Sequence, residues 1–152
     1  SFQPDEYPER LESGTLNIPG IVGIGAGIDF ITNKGIENIY KTELELAKYI
    51  YSGLKKIPGC ILYTPMPEYG GFVPVISFNI RGISASDTAD LLDKANIAVR
   101  GGLHCAPFAH KRLGTIESGT VRISPAIFNT KKEADFLISA LNSISNKVRR
   151  RK

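Results

Sequence analysis

A cysteine beside a histidine, five residues downstream of an arginine, carries the parts of a nucleophilic site in Arg100-Gly-Gly-Leu-His-Cys-Ala-Pro107. A thiol attacks as its thiolate, which nearby cations, exposure or a general base favour. Arg100 and His104 offer such surroundings to Cys105. Gly101 and Gly102 let the backbone turn and Pro107 stops regular structure, so the thiol looks presented rather than buried. Side chains adjacent in sequence need not face each other, and on this stretch alone a small buried cysteine in a loop is the equal alternative. A metal reading would recruit His104, Cys105 and His110, with Cys60 or a distant carboxylate as fourth ligand. That spacing matches no common zinc pattern, and no metal is assigned.

Two further positions carry chemistry of their own. Arg122 falls in a strand-like run between Thr120 and Ser124, and its planar guanidinium suits bidentate binding of a carboxylate. An ion pair to Glu117 or Asp135 on an exposed strand face is the competing reading. Thr15, in Glu12-Ser-Gly-Thr-Leu-Asn17, offers a hydroxyl and an N–H just ahead of a helix, a usual setting for phosphate, although hydroxyl caps before helices are common.

These residues need a frame. Ile21, Ile24, Ile28 and Ile31 recur at helical spacing, so a helix is expected over Ile18–Thr32, with Asn17 as its cap and Pro19 in its first turn. Its glycines do not make a dinucleotide loop: Ile28 stands where a third glycine would be needed, and no strand precedes. An amphipathic helix follows from Ile36 to about Lys56, with Ile36, Ile39, Leu46, Ile50 and Leu54 on one face. Strands are expected at Cys60–Thr64, Phe72–Ile80, Ile97–Arg100 and Thr120–Ser124. In the second, Ile76, Phe78 and Ile80 share one face and Ser77 and Asn79 the other. Ser84-Ala-Ser-Asp87 opens a helix to about Ala95, Ala109–Leu113 forms one helical turn, and Thr130-Lys-Lys-Glu133 caps a last helix with Ala134, Leu137, Leu141, Ile144 and Val148 as its stripe. This order predicts an α+β fold: a small, mainly antiparallel sheet with helices packed on one face.

The totals set limits. The chain has 152 residues, 42 % hydrophobic and 22 % charged, enough for one core and unlike a disordered segment. Its net charge of +4 equals the four positives of Arg149-Arg-Arg-Lys152, so the body is near neutral. That tail reads as a solvated end, and no nucleic-acid partner is expected. Two unrelated cysteines make no disulfide framework, which suits a reducing, cytoplasmic setting. No apolar run reaches the ~20 residues of a membrane span. The polar start, without an initiator Met, reads as the middle of a longer chain.

Together the segments Glu12-Ser-Gly-Thr-Leu-Asn-Ile-Pro-Gly20, Arg100-Gly-Gly-Leu-His-Cys105 and Val121-Arg-Ile-Ser-Pro-Ala-Ile-Phe-Asn-Thr130 resemble, in order and spacing, the cysteine desulfurases. These are pyridoxal-phosphate enzymes of the class V aminotransferase family, homodimers whose small C-terminal domain has the fold expected above. The resemblance covers essentially the whole chain. It implies that Cys105 attacks the sulfur of a cofactor-bound L-cysteine, becomes a persulfide and releases L-alanine. Arg122 would hold the substrate carboxylate. Thr15 would reach the phosphate of pyridoxal 5′-phosphate across the dimer interface, and Arg100 and His104 would flank the site. Leu103 stands where many members carry a second histidine.

The family's Schiff-base lysine follows a histidine upstream of the Glu-Ser-Gly-Thr motif. Here the only His-Lys pair, His110-Lys111, follows the cysteine, so Lys111 is not assigned to the cofactor. The resemblance thus implies a C-terminal fragment, inactive and without cofactor on its own. Residues 1–35 would link to and pack on a large cofactor domain, 36–148 would form the small domain, and 149–152 the basic tail. The partners implied are L-cysteine, that large domain, a second subunit and a sulfur-acceptor protein. Selenocysteine lyase, another class V reaction with Cys105 incidental, and a non-enzymatic sulfur-relay or metal-binding module are the alternatives. The apolar helix near residues 20–31 predicts self-association of the isolated piece.

Overall fold

A computed structural model describes residues 4–12 and 14–150. Ser13 of the Glu12–Asn17 segment and the last two residues of the basic tail lie outside the described residues. The chain forms two compact units with their boundary between Ile39 and Tyr40, inside a helix.

The N-terminal unit holds a short 3-10 turn, Glu9–Leu11, and helix α1, Ile18–Lys34. Asn17 caps α1 as expected, its Oδ1 accepting from the Gly20 N–H at 3.1 Å, with Pro19 in the first turn. The helix runs slightly past Thr32 and stops at Gly35, whose φ of 77° lies in the left-handed region. None of its residues is buried: Ile21, Val22, Ile24 and Ile28 are all exposed.

The C-terminal unit is built from helices on a small sheet. Helix α2 (Ile36–Leu54) spans the unit boundary. Strands β1 (Cys60–Leu62) and β2 (Ile76–Ile80) follow it, then helix α3 (Ala85–Asp93) and strand β3 (Arg100–Gly102). Helix α4 (Pro107–Leu113), strand β4 (Thr120–Ile123) and helix α5 (Lys131–Arg150) complete the unit. The sheet order is β1-β2-β4-β3 and every neighbouring pair is antiparallel, so the fold is α+β. Helices α3 and α5 begin with side-chain caps. Ser84 Oγ accepts from the Asp87 N–H at 2.9 Å, and Glu133 reaches back to the Thr130 N–H.

One core joins the apolar faces. Ile76, Phe78 and Ile80 of β2 with Val121 and Ile123 of β4 meet Ala47, Ile50 and Leu54 of α2, Leu92 of α3, and Ala134, Leu137 and Leu141 of α5. Three sequence expectations need correction. Ile36 is exposed and Ile39 only half-buried, because the first turn of α2 lies in the other unit and outside this core. The second strand begins at Ile76 rather than Phe72, since Pro74 cannot donate to a ladder. The third strand is not Ile97–Arg100 but Arg100–Gly102: Ile97 and Val99 pack against the core from irregular backbone, and the ladder forms at the glycines. At the other end α5 continues through Arg149 and Arg150, cations suited to a helix C-terminus.

Candidate active site

Strand β4 lies between β2 and β3, and its register places Arg122 opposite Ser77 on one side and Arg100 on the other. Residues in direct register share a face. Val121 and Ile123 point into the core, so Ser77, Arg122 and Arg100 lie on the opposite, polar face. Gly101, between them in sequence, faces the helices: a Cβ built on it would stand 2.8 Å from the Ala85 carbonyl oxygen. Two arginines directly opposite one another repel. Their pairing makes this a face that attracts anions.

The loop leaving β3 carries the thiol. His104 and Cys105 have φ of 53° and 59°, both left-handed and neither glycine, a conformation that costs about 1–2 kcal/mol per residue. The Ala106 N–H donates to the Leu103 carbonyl at 2.9 Å, closing a β-turn with the φ signs of type I′. Pro107 then begins α4. The turn aims Cys105 outward, and the residue is exposed.

His104 Nε2 lies 3.1 Å from the Arg100 carbonyl oxygen. A carbonyl only accepts, so Nε2 carries the proton and Nδ1 is the acceptor in the neutral ring. Burial chiefly holds the His104 pKa below its usual 6.5, and the positive Arg122 and Arg100 and the neighbouring His110 push the same way against the Arg100 hydrogen bond. The neutral form is therefore favoured.

The polar face is only partly satisfied. Asn79, 9 % exposed, donates through Nδ2 to the Gly119 carbonyl at 2.9 Å and to Tyr63 Oη at 3.4 Å, while its Oδ1 has no partner. Arg122 Nε is likewise buried without a partner. Asp135, one of the residues that might have paired with Arg122, accepts instead from the Tyr49 hydroxyl. A buried guanidinium N–H without a partner is a donor suited to a carboxylate oxygen.

The structure brings Arg100, His104 and Arg122 together on β3, its loop and β4, with Cys105 exposed in the same loop directly after His104. Thr15 belongs to the N-terminal unit and is exposed, ahead of the Asn17 cap. Cys60 starts β1, at the opposite edge of the sheet from the Cys105 loop, and burial pushes its thiol up to about 12. Among the described residues no three of the His, Cys, Asp and Glu side chains form a group that could hold a metal ion. No described helix is long and apolar enough to cross a membrane. Two features escaped the sequence reading. Asn79, placed only on the strand face away from Ile76, Phe78 and Ile80, and His110, read only as part of a helical turn and a possible metal ligand, are both buried.

The chain that carries this turn and small α+β sheet belongs to a known family. The family model described as Aminotransferase class-V matches residues 1–137, and the chain is a member of that family. Among curated relatives, a probable cysteine desulfurase of Synechocystis sp. is 38 % identical over 142 residues, covering 93 % of this chain and 33 % of the relative. A cysteine desulfurase of Pectobacterium carotovorum is 37 % identical over 139 residues, 91 % of this chain and 33 % of its own length. Among solved structures, an apo cysteine desulfurase from Thermococcus onnurineus NA1 superimposes with a TM-score of 0.82 at 35 % identity, over 92 % of this chain and 34 % of that one. A cysteine desulfurase from Escherichia coli carrying an S-sulfonic acid gives 0.77 at 30 % identity, over 90 % of this chain and 32 % of that one. The chain thus spans about a third of the length of the relatives it matches.

Proposed function

We propose that this chain is the C-terminal part of a pyridoxal-phosphate-dependent cysteine desulfurase, in which Cys105 takes sulfur from L-cysteine as a persulfide and L-alanine leaves. The observation that carries this reading is that the exposed Cys105 follows His104 on the turn leaving β3, while His104 feels the charge of Arg122, whose Nε is buried and open, and of Arg100 in register across from it. Such a pair favours an anionic substrate group, and a bidentate carboxylate satisfies the open donor. Arg122 is the principal carboxylate ligand, and Arg100 adds positive charge from the neighbouring strand.

His104 spends its Nε2 proton on Arg100, which leaves Nδ1 free to accept the proton of the Cys105 thiol. The thiolate attacks the substrate sulfur. A bond forms between Cys105 Sγ and that sulfur as the substrate Cβ–S bond breaks, and the electron pair released stays on the carbon skeleton, which is protonated to alanine. Pyridoxal phosphate, when bound in the whole enzyme, supplies the electron sink this cleavage requires.

This chain by itself does not fit the cofactor. Thr15 offers one hydroxyl for its phosphate, but no lysine matches the covalent position, Lys111 being an exposed residue of α4 beyond the cysteine. The isolated chain is therefore inactive in this reading. Residues 1–35 join and pack on the large cofactor domain, whose apolar surface covers the exposed isoleucines of α1. The partners are that domain, a second subunit and a sulfur-acceptor protein, in the cytoplasm. The test is Cys105→Ala in the full-length parent. Sulfur transfer and cysteine-dependent alanine release are expected to fall to background, and unchanged sulfur transfer would remove Cys105 from the reaction.

A further inference from the structure

We infer that His110, pinned by Thr115, is a positioning residue that holds the His104 imidazole on the Arg100 carbonyl and so fixes the His104–Cys105 turn. His110 and Thr115 are buried, 4 % and 3 % exposed, and their side chains join at 2.8 Å through Nδ1 and Oγ1. Two further bonds tie the pair. The Thr115 N–H donates to the His110 carbonyl at 2.8 Å, and the Thr115 hydroxyl lies 3.5 Å from the same oxygen. With the hydroxyl proton directed there, Oγ1 accepts from His110 Nδ1–H, and the plane of the ring is set. Gly114, left-handed with φ of 69°, ends α4 and turns the chain so that Thr115 can close this clamp.

The clamped ring faces His104, with centroids 5.9 Å apart and planes tilted by 59°. That is a tilted edge-to-face contact at van der Waals range. His104 itself sits in a turn of two left-handed residues, anchored by one hydrogen bond to Arg100. A buried polar pair is a poor choice for filling space, since leucine or phenylalanine would do so without desolvating a hydroxyl and an imidazole. What the pair adds is direction: a ring fixed in orientation, against which the second ring can rest. Strained turns persist only where their surroundings hold them, and His110 is the surrounding that α4 supplies. The charged and titratable groups facing His104 are Arg100 on β3, Arg122 on β4 and His110 on α4. The consequence for catalysis rests on the desulfurase reading; the brace itself does not.

The chain contains two histidines, so imidazole 15N NMR resolves both rings without a cofactor. At pH 7.5 the wild-type chain is expected to show His104 as the Nε2–H tautomer and His110 as the Nδ1–H tautomer. Thr115→Val, nearly isosteric, should move His104 towards a tautomer mixture and change the rate of Cys105 alkylation by iodoacetamide at least threefold. Thr115→Ser, which keeps the hydroxyl, should hold both His104 readings near wild type, whereas His110→Phe, which keeps a ring but not its bond to Thr115, should shift them as Thr115→Val does. Unchanged His104 signals and alkylation rate in Thr115→Val, or in His110→Phe, overturn the inference. Alanine release by the full-length parent is a separate measurement, and its absence would sink the desulfurase reading while leaving these outcomes untouched.

Discussion

Gly101 and Ala85 are in backbone contact: a Cβ on Gly101 would stand 2.8 Å from the Ala85 carbonyl oxygen and 3.2 Å from the Ala89 Cβ. Strand β3 can lie this close to α3 only because position 101 has no side chain. Gly101→Ala must push α3 outward or pull β3 off β4, and overpacking of this kind costs about 1–3 kcal/mol. Urea unfolding should show that loss. Because Arg100 and the His104 loop ride on β3, Cys105 alkylation should change with it.

Arg122 sets stability against function. Its Nε is buried without a partner, so replacing the guanidinium with an apolar chain of similar length relieves an unmet donor. Arg122→Met is expected to stabilise the chain by about 1 kcal/mol, read as a higher urea midpoint. In the full-length parent the same change should lower kcat/KM for cysteine roughly 10- to 100-fold, the equivalent of losing a charge-assisted hydrogen bond. Arg122→Lys, a point charge without the planar fork, should recover little of it.

The two thiols should separate by reactivity. Burial pushes Cys60 up to about 12, so its thiolate is scarce at pH 8, whereas Cys105 is exposed. Brief iodoacetamide treatment at pH 8 followed by intact mass measurement should add one group. Cys105→Ser should abolish that addition and Cys60→Ser should leave it.

His104 gives the fold a pH dependence of known sign. Its folded pKa lies below the unfolded value of 6.5, so between the two the unfolded chain binds more protons and stability rises with pH. Stability contributed by the neutral ring is present above 6.5 and is lost as pH falls through the folded pKa. Thermal unfolding from pH 5 to 7.5 should show this slope, and His104→Gln should flatten it.

The elements were legible because their signals are local. Asn17, Ser84 and Thr130 each stand at a helix start, and the stripe Ala134, Leu137, Leu141 and Ile144 is the buried face of α5. Strand β3 was misplaced because Ile97-Ala-Val99 has the apolar character of a strand, while the residues that pair are Arg100, Gly101 and Gly102. Their pairing depends on close approach. Gly119, with φ of 61°, lies against Gly102 so tightly that a Cβ would come within 2.7 Å of its Cα, a contact no propensity reports.

Residue types alone determined what chemistry this protein can do: a thiol, an imidazole and guanidinium groups, carried on predictable helices and strands in an α+β order. Only the tertiary structure decided how they act. Register placed Arg100 opposite Arg122, a left-handed turn at two non-glycine residues exposed Cys105, and burial of His110 on Thr115 gave His104 a neighbour. The reason is physical. Caps and periodic stripes depend on residues a few positions apart, which sequence displays. Strand register, burial of a polar pair and the field around an imidazole arise from segments brought together by the core, and those exist only in the folded chain.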